Sequence, residues 1–128
     1  MPQPLDTAGY KGEMMVEDNE TNVRKRIQSG ERLLLFLYSP LCGTCKAAEK
    51  MLEPLEQVYR DTRFIKINVN VNRRIVEQEK VKSVPCLIVT ENSQTVQKIY
   101  AFHSVSSLVY RLHYVLSSSR KDDSNDGS

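Results

Sequence analysis

The chain of 128 residues has no tryptophan, three cysteines and two histidines. Three cysteines cannot make a disulfide scaffold, so a reducing compartment, the cytoplasm, is the expected setting. There is also no second cysteine pair and no Cys/His cluster to complete a four-ligand zinc site. The run Leu33 to Tyr38 is only six residues long, far short of the roughly 20 a membrane-spanning helix needs. Charge of one sign is missing as well. The net charge is +2, with Lys and Arg scattered among Asp and Glu, which leaves no electrostatic footprint for nucleic acid or an anionic membrane. The first ten residues show no basic stretch followed by an apolar one, so no secretory signal is read there, although a secreted protein already relieved of its signal would look the same.

What is present suits one globular domain with a modest core: 40% hydrophobic and 27% charged residues,. Residues 1–16, with Pro2, Pro4, Gly9 and Gly12, read as a flexible N-terminal arm, residues 17–116 as the domain, and the Ser- and Asp-rich residues 117–128 as a disordered tail. The chain is organised around Leu33-Leu-Leu-Phe-Leu-Tyr-Ser-Pro-Leu-Cys42-Gly-Thr-Cys45. Leu33 to Tyr38 reads as a strand buried on both faces, and Ser39-Pro40 ends it. From Cys45 the period changes to 3.6, with Ala48, Met51, Leu52, Leu55 and Val58 on one side and Pro54 interrupting the pattern.

Two cysteines at a helix start have a chemical consequence. A thiolate there meets unpaired backbone N–H groups and the positive end of the helix dipole, so Cys42 is the expected nucleophile. Cys45, three residues on and one turn inward, is the expected resolving thiol. C-x-x-C beside a strand–helix unit reads as a redox motif, with half of a zinc site as the lesser alternative because no second pair completes one.

The remaining elements follow from periodicity and caps. A short helix is expected over Glu17 to Gln28, capped by Asn19 or Thr21 and ended by Gly30. Its basic triplet Arg24-Lys-Arg26 reads as a solvated helix end. A strand is expected over Arg63 to Val69 and a helix from Arg73 to Lys80 behind Asn72. An apolar strand starts at Cys86 after Val84-Pro85, where a cis bond would reconcile the proline with the strand. A turn at Glu91 to Gln94 and a strand Thr95 to Phe102 make a hairpin, and a last helix carries Leu108, Val109, Leu112, Val115 and Leu116 behind Ser104 or Ser106. Cys86 reads as a small buried hydrophobe near the redox pair, and His103 and His113 as surface or core-edge residues.

This order of elements, with Cys42-Gly-Thr-Cys45-Lys46, the Lys66-Ile-Asn68 strand and Val84-Pro85, resembles thioredoxin over Glu17 to Leu116. The resemblance implies an α/β thioredoxin-like fold, a central mixed sheet flanked by helices, with Pro85 as a cis proline against the disulfide. It further implies a monomeric protein-disulfide oxidoreductase. Cys42, Cys45 and Pro85 would be its catalytic residues, with Leu41, Gly43, Thr44, Val84, Pro85 and Ala101 touching substrate. Disulfide-containing proteins would be its substrates, and a thiol or a reductase its electron donor. The departures from the family pattern are specific. Leu41 stands in place of tryptophan and Thr44 in place of proline. Phe36 takes the place of a buried aspartate that serves the resolving thiol, leaving Lys66 opposite it free to reach for solvent; resolution is then expected to be slow. Ser93 and Ala101 replace glycines beside the substrate groove. A binding module in which Leu41, Phe36 and Ala101 dock a partner, with incidental cysteines, is the alternative.

Overall fold

A computed structural model of the chain describes residues 15–125, with side chains described to residue 116. The elements run β1 (Val16–Glu17), α1 (Glu20–Gln28), β2 (Leu33–Tyr38), α2 (Gly43–Val58), β3 (Arg63–Asn68), a 3-10 turn (Val69–Val71), α3 (Arg73–Gln78), β4 (Cys86–Glu91), β5 (Gln94–Ile99) and α4 (Val105–Asn125). The five strands form one mixed sheet ordered β1-β3-β2-β4-β5. Strand β2 is central, parallel to β3 and antiparallel to β4. Leu33, Leu34, Leu35, Phe36 and Leu37 are all fully buried, because helices cover both faces of the strand and a continuous apolar run is what that position demands.

Alternation along the strands sorts the core into two layers. Leu34, Phe36, Phe64, Leu87 and Val89 face α2 and α4, meeting Cys45, Ala48, Leu52, Leu55, Leu108, Leu112 and Leu116. Leu33, Leu35, Leu37, Ile65, Ile67, Cys86 and Ile88 face α1 and α3, meeting Val23 and Ile75. Helix α1 is capped at Asn19, whose side chain accepts from the Asn22 N–H at 2.9 Å. It ends in a left-handed Gly30 at φ 86°, with Gly30 N–H donating to Ile27 and Glu31 N–H to Arg26. Those two bonds satisfy carbonyls the helix end would otherwise orphan. The β4–β5 loop is Asn92-Ser93, both at positive φ, the turn geometry that matches strand twist in a two-residue hairpin.

Several expectations are corrected. The arm does not extend to residue 16: Met15 is buried in the core and Val16–Glu17 pairs with Ile65–Lys66 as an edge strand. Two residues carry no period to detect, and their signal is backbone pairing alone. Residues 1–14 lie outside the described residues. The expected disordered tail instead continues α4 to Asn125; it has no Gly or Pro before Gly127, and extending a formed helix is far easier than starting one. Residues 126–128 lie outside the described residues. Strand β5 stops at Ile99 rather than Phe102, and Val58, at the end of α2, is 61% exposed while Tyr59 takes the core position.

Cys86 sits on the layer opposite the cysteine pair, so its place beside Pro85 in sequence does not bring it to the pair. Burial pushes its thiol up from 9.0 to about 11, against the Tyr100 hydrogen bond and the Lys98 charge. A thiol that ionises more easily unfolded than folded stabilises the fold fully below about pH 9, and that contribution is lost as pH rises through about 11,. Wild type should therefore lose up to about 2 to 3 kcal/mol more than Cys86→Ala between neutral pH and about pH 11. Parallel urea titrations check this, and equal losses in the two proteins would contradict it.

Candidate active site

Where β2 leaves the sheet, Ser39 and Pro40 turn the chain and Cys42 becomes the N-cap of α2, its backbone extended at φ −93° and ψ 110°. Its Sγ accepts the Cys45 N–H at 3.2 Å, taking the role an Asp or Ser oxygen plays in an ordinary cap. Gly43, Thr44 and Cys45 fill the first turn, which brings the two cysteines to a Cα separation of 5.3 Å as a disulfide. The two sulfurs differ in access. Cys45 is 2% exposed and part of the core, whereas Cys42 is half-buried at its edge.

The residues expected to touch substrate gather at this end of the sheet. Val84-Pro85 is cis and leads into Cys86, the partner of Leu37 in the ladder. Val84 packs on both core layers. Leu41 is 92% exposed beside Cys42. A Cβ on Gly43 would meet nothing within 4 Å, so the surface is open at this position. Thr44 Oγ1 lies 3.3 Å from Cys42 Sγ. Ala101 follows β5, whose Ile99 pairs with Leu87 at the same end.

Other positions fall elsewhere. Ser93 is at the far end of the sheet, bonding the Gln28 carbonyl at 3.2 Å, so it cannot flank a groove at the cysteines. Phe36 is fully buried, stacked on Tyr38 and edge-on to Phe102, and offers no docking surface. Lys66 neither loses itself to solvent nor faces Phe36 alone: its Nζ reaches Glu49 at 2.9 Å and lies 5.4 Å from the Tyr38 ring centroid. The Tyr38 hydroxyl donates to Glu17 at 2.7 Å. Burial, with that bond and the carboxylates of Glu17 and Glu49, pushes Tyr38 up to about 12. Tyr38, Cys45, Lys46, Glu49, Lys50, Glu53 and Lys66 line a cleft of about 460 Å³ under the pair. Reading from sequence missed Glu49; its spacing of four from Cys45 was the one available signal.

The thioredoxin family model matches residues 14–113. The chain belongs to the thioredoxin family. It is 42% identical over 75 residues to the thioredoxin-like protein YusE of Bacillus subtilis, covering 59% of this chain and 71% of that protein. Against the thioredoxin of Staphylococcus haemolyticus it is 30% identical over 95 residues, 73% of this chain and 90% of the other. The oxidised mitochondrial thioredoxin 3 of Saccharomyces cerevisiae superposes with a TM-score of 0.66 at 27% identity, covering 73% of this chain and 89% of that one. The thioredoxin of Trypanosoma brucei brucei, with TM-score 0.71 at 17% identity, covers 84% of this chain and 96% of its own and shares the fold. Family and cysteine pair together support thiol–disulfide oxidoreductase activity in general.

Thr44 offers the reduced form a donor that a proline could not. A hydroxyl hydrogen bond to the Cys42 thiolate favours the reduced couple and raises its potential. Thr44→Val should lower the potential by about 10 to 30 mV, since 30 mV corresponds to about 1.4 kcal/mol and an exposed hydrogen bond contributes about 0.5 to 1.5 kcal/mol. Thr44→Pro, which also removes the backbone N–H, should lower it further. Equilibration against glutathione measures both, and an unchanged or raised potential contradicts the assignment.

Proposed function

We propose that this protein is a thioredoxin-like protein-disulfide oxidoreductase working through the Cys42–Cys45 couple. The observation that carries the reading is the asymmetry of the pair: Cys42 is reachable and caps a helix, while Cys45 lies 2% exposed one turn deeper. The Cys42 thiolate, favoured by the α2 N-terminus, attacks one sulfur of a substrate disulfide, breaking that bond and releasing a thiolate. The mixed disulfide so formed is attacked at Cys42 Sγ by Cys45, the Cys42–substrate bond breaks, and the second substrate thiolate leaves. Two electrons pass to the substrate, and Cys42–Cys45 is left oxidised for a thiol or reductase donor to restore.

The exposed Leu41 side chain supplies apolar contact beside the nucleophile. Gly43 and Thr44 allow close approach, and Val84, Pro85 and Ala101 offer backbone and small surfaces to an extended substrate strand. The cycle needs no metal or organic cofactor, and a single domain of this kind suits a monomer in the cytoplasm. A free, deeply buried Cys86 thiol in a chain that also carries a reducible pair accords with a reducing compartment.

Trapping tests the reading directly. With a disulfide substrate in excess, Cys45→Ser should accumulate a mixed disulfide on Cys42 and Cys42→Ser should trap none. In the reduced protein, limiting iodoacetamide should label Cys42 first and leave Cys86 unlabelled. Preferential labelling of Cys45, or no trapped species in Cys45→Ser, overturns it.

A further inference from the structure

The charged cleft beneath the cysteine pair takes no part in the cycle just described. Cys45 must lose its proton before it can attack, yet it is 2% exposed among Phe36, Ala48 and other apolar groups, so bulk solvent has little access to its sulfur. Glu49 stands four residues along α2, so the two side chains are neighbours on one helix face, with Cβ atoms about 6 Å apart. Both line the same cleft. Lys66 holds Glu49 Oε2 at 2.9 Å in a pair whose side chains are only 24% and 30% exposed, which leaves Oε1 as the carboxylate's second acceptor.

We propose that Glu49, positioned by Lys66, is the proton acceptor for Cys45 when the mixed disulfide is resolved. The proposal rests on the redox reading above. The Cys45 S–H proton passes to the Glu49 carboxylate, directly or through one water in the cleft. The Cys45 thiolate then forms the S–S bond to Cys42, the Cys42–substrate S–S bond breaks, and the departing substrate thiolate takes up a proton from solvent as Glu49 returns its own. No further oxidant or reductant enters the step.

Other groups facing the cleft do not serve. Tyr38, from β2, stays a neutral phenol committed to Glu17 of β1. Lys66, from β3, and Lys46 and Lys50, from α2, are cations. Glu53 is eight residues, about two turns, from Cys45.

The test is stopped-flow resolution of a quenched-fluorophore peptide disulfide by the full chain across pH. Glu49→Gln should slow resolution at least about tenfold at neutral pH, the low end of what a positioned base contributes, and should converge with wild type at alkaline pH, where the thiolate forms unaided. Formation of the mixed disulfide at Cys42 should be unchanged, which a general loss of structure would not allow. Lys66→Met should also slow resolution at neutral pH, because the ammonium that holds Glu49 Oε2 in place is gone. The sign separates a base from a bystander. Removing a nearby negative charge by itself favours the Cys45 thiolate, so a bystander Glu49 predicts faster resolution after substitution. Glu49→Gln that resolves as fast as wild type, or faster, with an unshifted profile overturns Glu49 alone. A wild-type protein that forms no mixed disulfide at Cys42 overturns the redox reading and Glu49 with it.

Discussion

Burial of β2 on both faces is the constraint on which the rest of this structure depends. Each of the five fully buried residues from Leu33 to Leu37 contributes about 2 kcal/mol by leaving water. Together they supply about 10 kcal/mol, as large as the net stability of a typical domain. A strand that apolar can sit only in the middle of a sheet with helices on both sides, so β3 and β4 flank it and α1 to α4 divide between its faces. Its register is fixed for the same reason, since a slip of one residue would exchange the two layers. The exit of β2, and with it Cys42, is therefore placed by the core rather than by the loop.

That placement divides the labour of the two sulfurs. Cys42 takes its polarity from the helix it begins, as the acceptor for the Cys45 N–H. Cys45 takes its surroundings from the core it enters. One helical turn thus spans a step from half-exposed to buried, and the difference in reactivity between chemically identical thiols is a difference in desolvation and dipole. The charges nearby follow the same geometry. Lys66 shares a row across the sheet with Glu17 and Phe36, and because the strand position facing α2 carries a phenyl ring, the carboxylate that pairs with this lysine comes from the helix instead.

Much of this could be read from residue order. Strand β2, the capped start of α2, Pro85, the hairpin and the apolar face of α4 all announce themselves through period, punctuation or caps, because each depends on its own neighbours in sequence. What escaped depends on partners distant in the chain. The strand β1 exists only as backbone bonds to β3. Ser93 is placed by its contact with the end of α1, and its apparent kinship with a groove position ended there. Lys66 and Glu49 are 17 residues apart and neither shows in its own segment that it will meet the other. The end of α4 escapes for the opposite reason: composition speaks only to burial, and a formed helix extends at little cost.

Cys86 shows how a one-residue offset decides chemistry. It follows the cis proline directly, and from sequence alone that position lies near the redox pair. Side chains on a strand point to alternate faces, however, and Leu87 takes the face toward α2 while Cys86 takes the face toward α1 and α3. The sheet itself then stands between the Cys86 sulfur and the pair. Burial keeps that thiol protonated up to about pH 11, so it is neither placed nor ionised to enter exchange with Cys42 or Cys45. The same alternation that builds two core layers keeps a third cysteine from competing for the disulfide, and the pair remains a two-thiol couple in a three-cysteine chain.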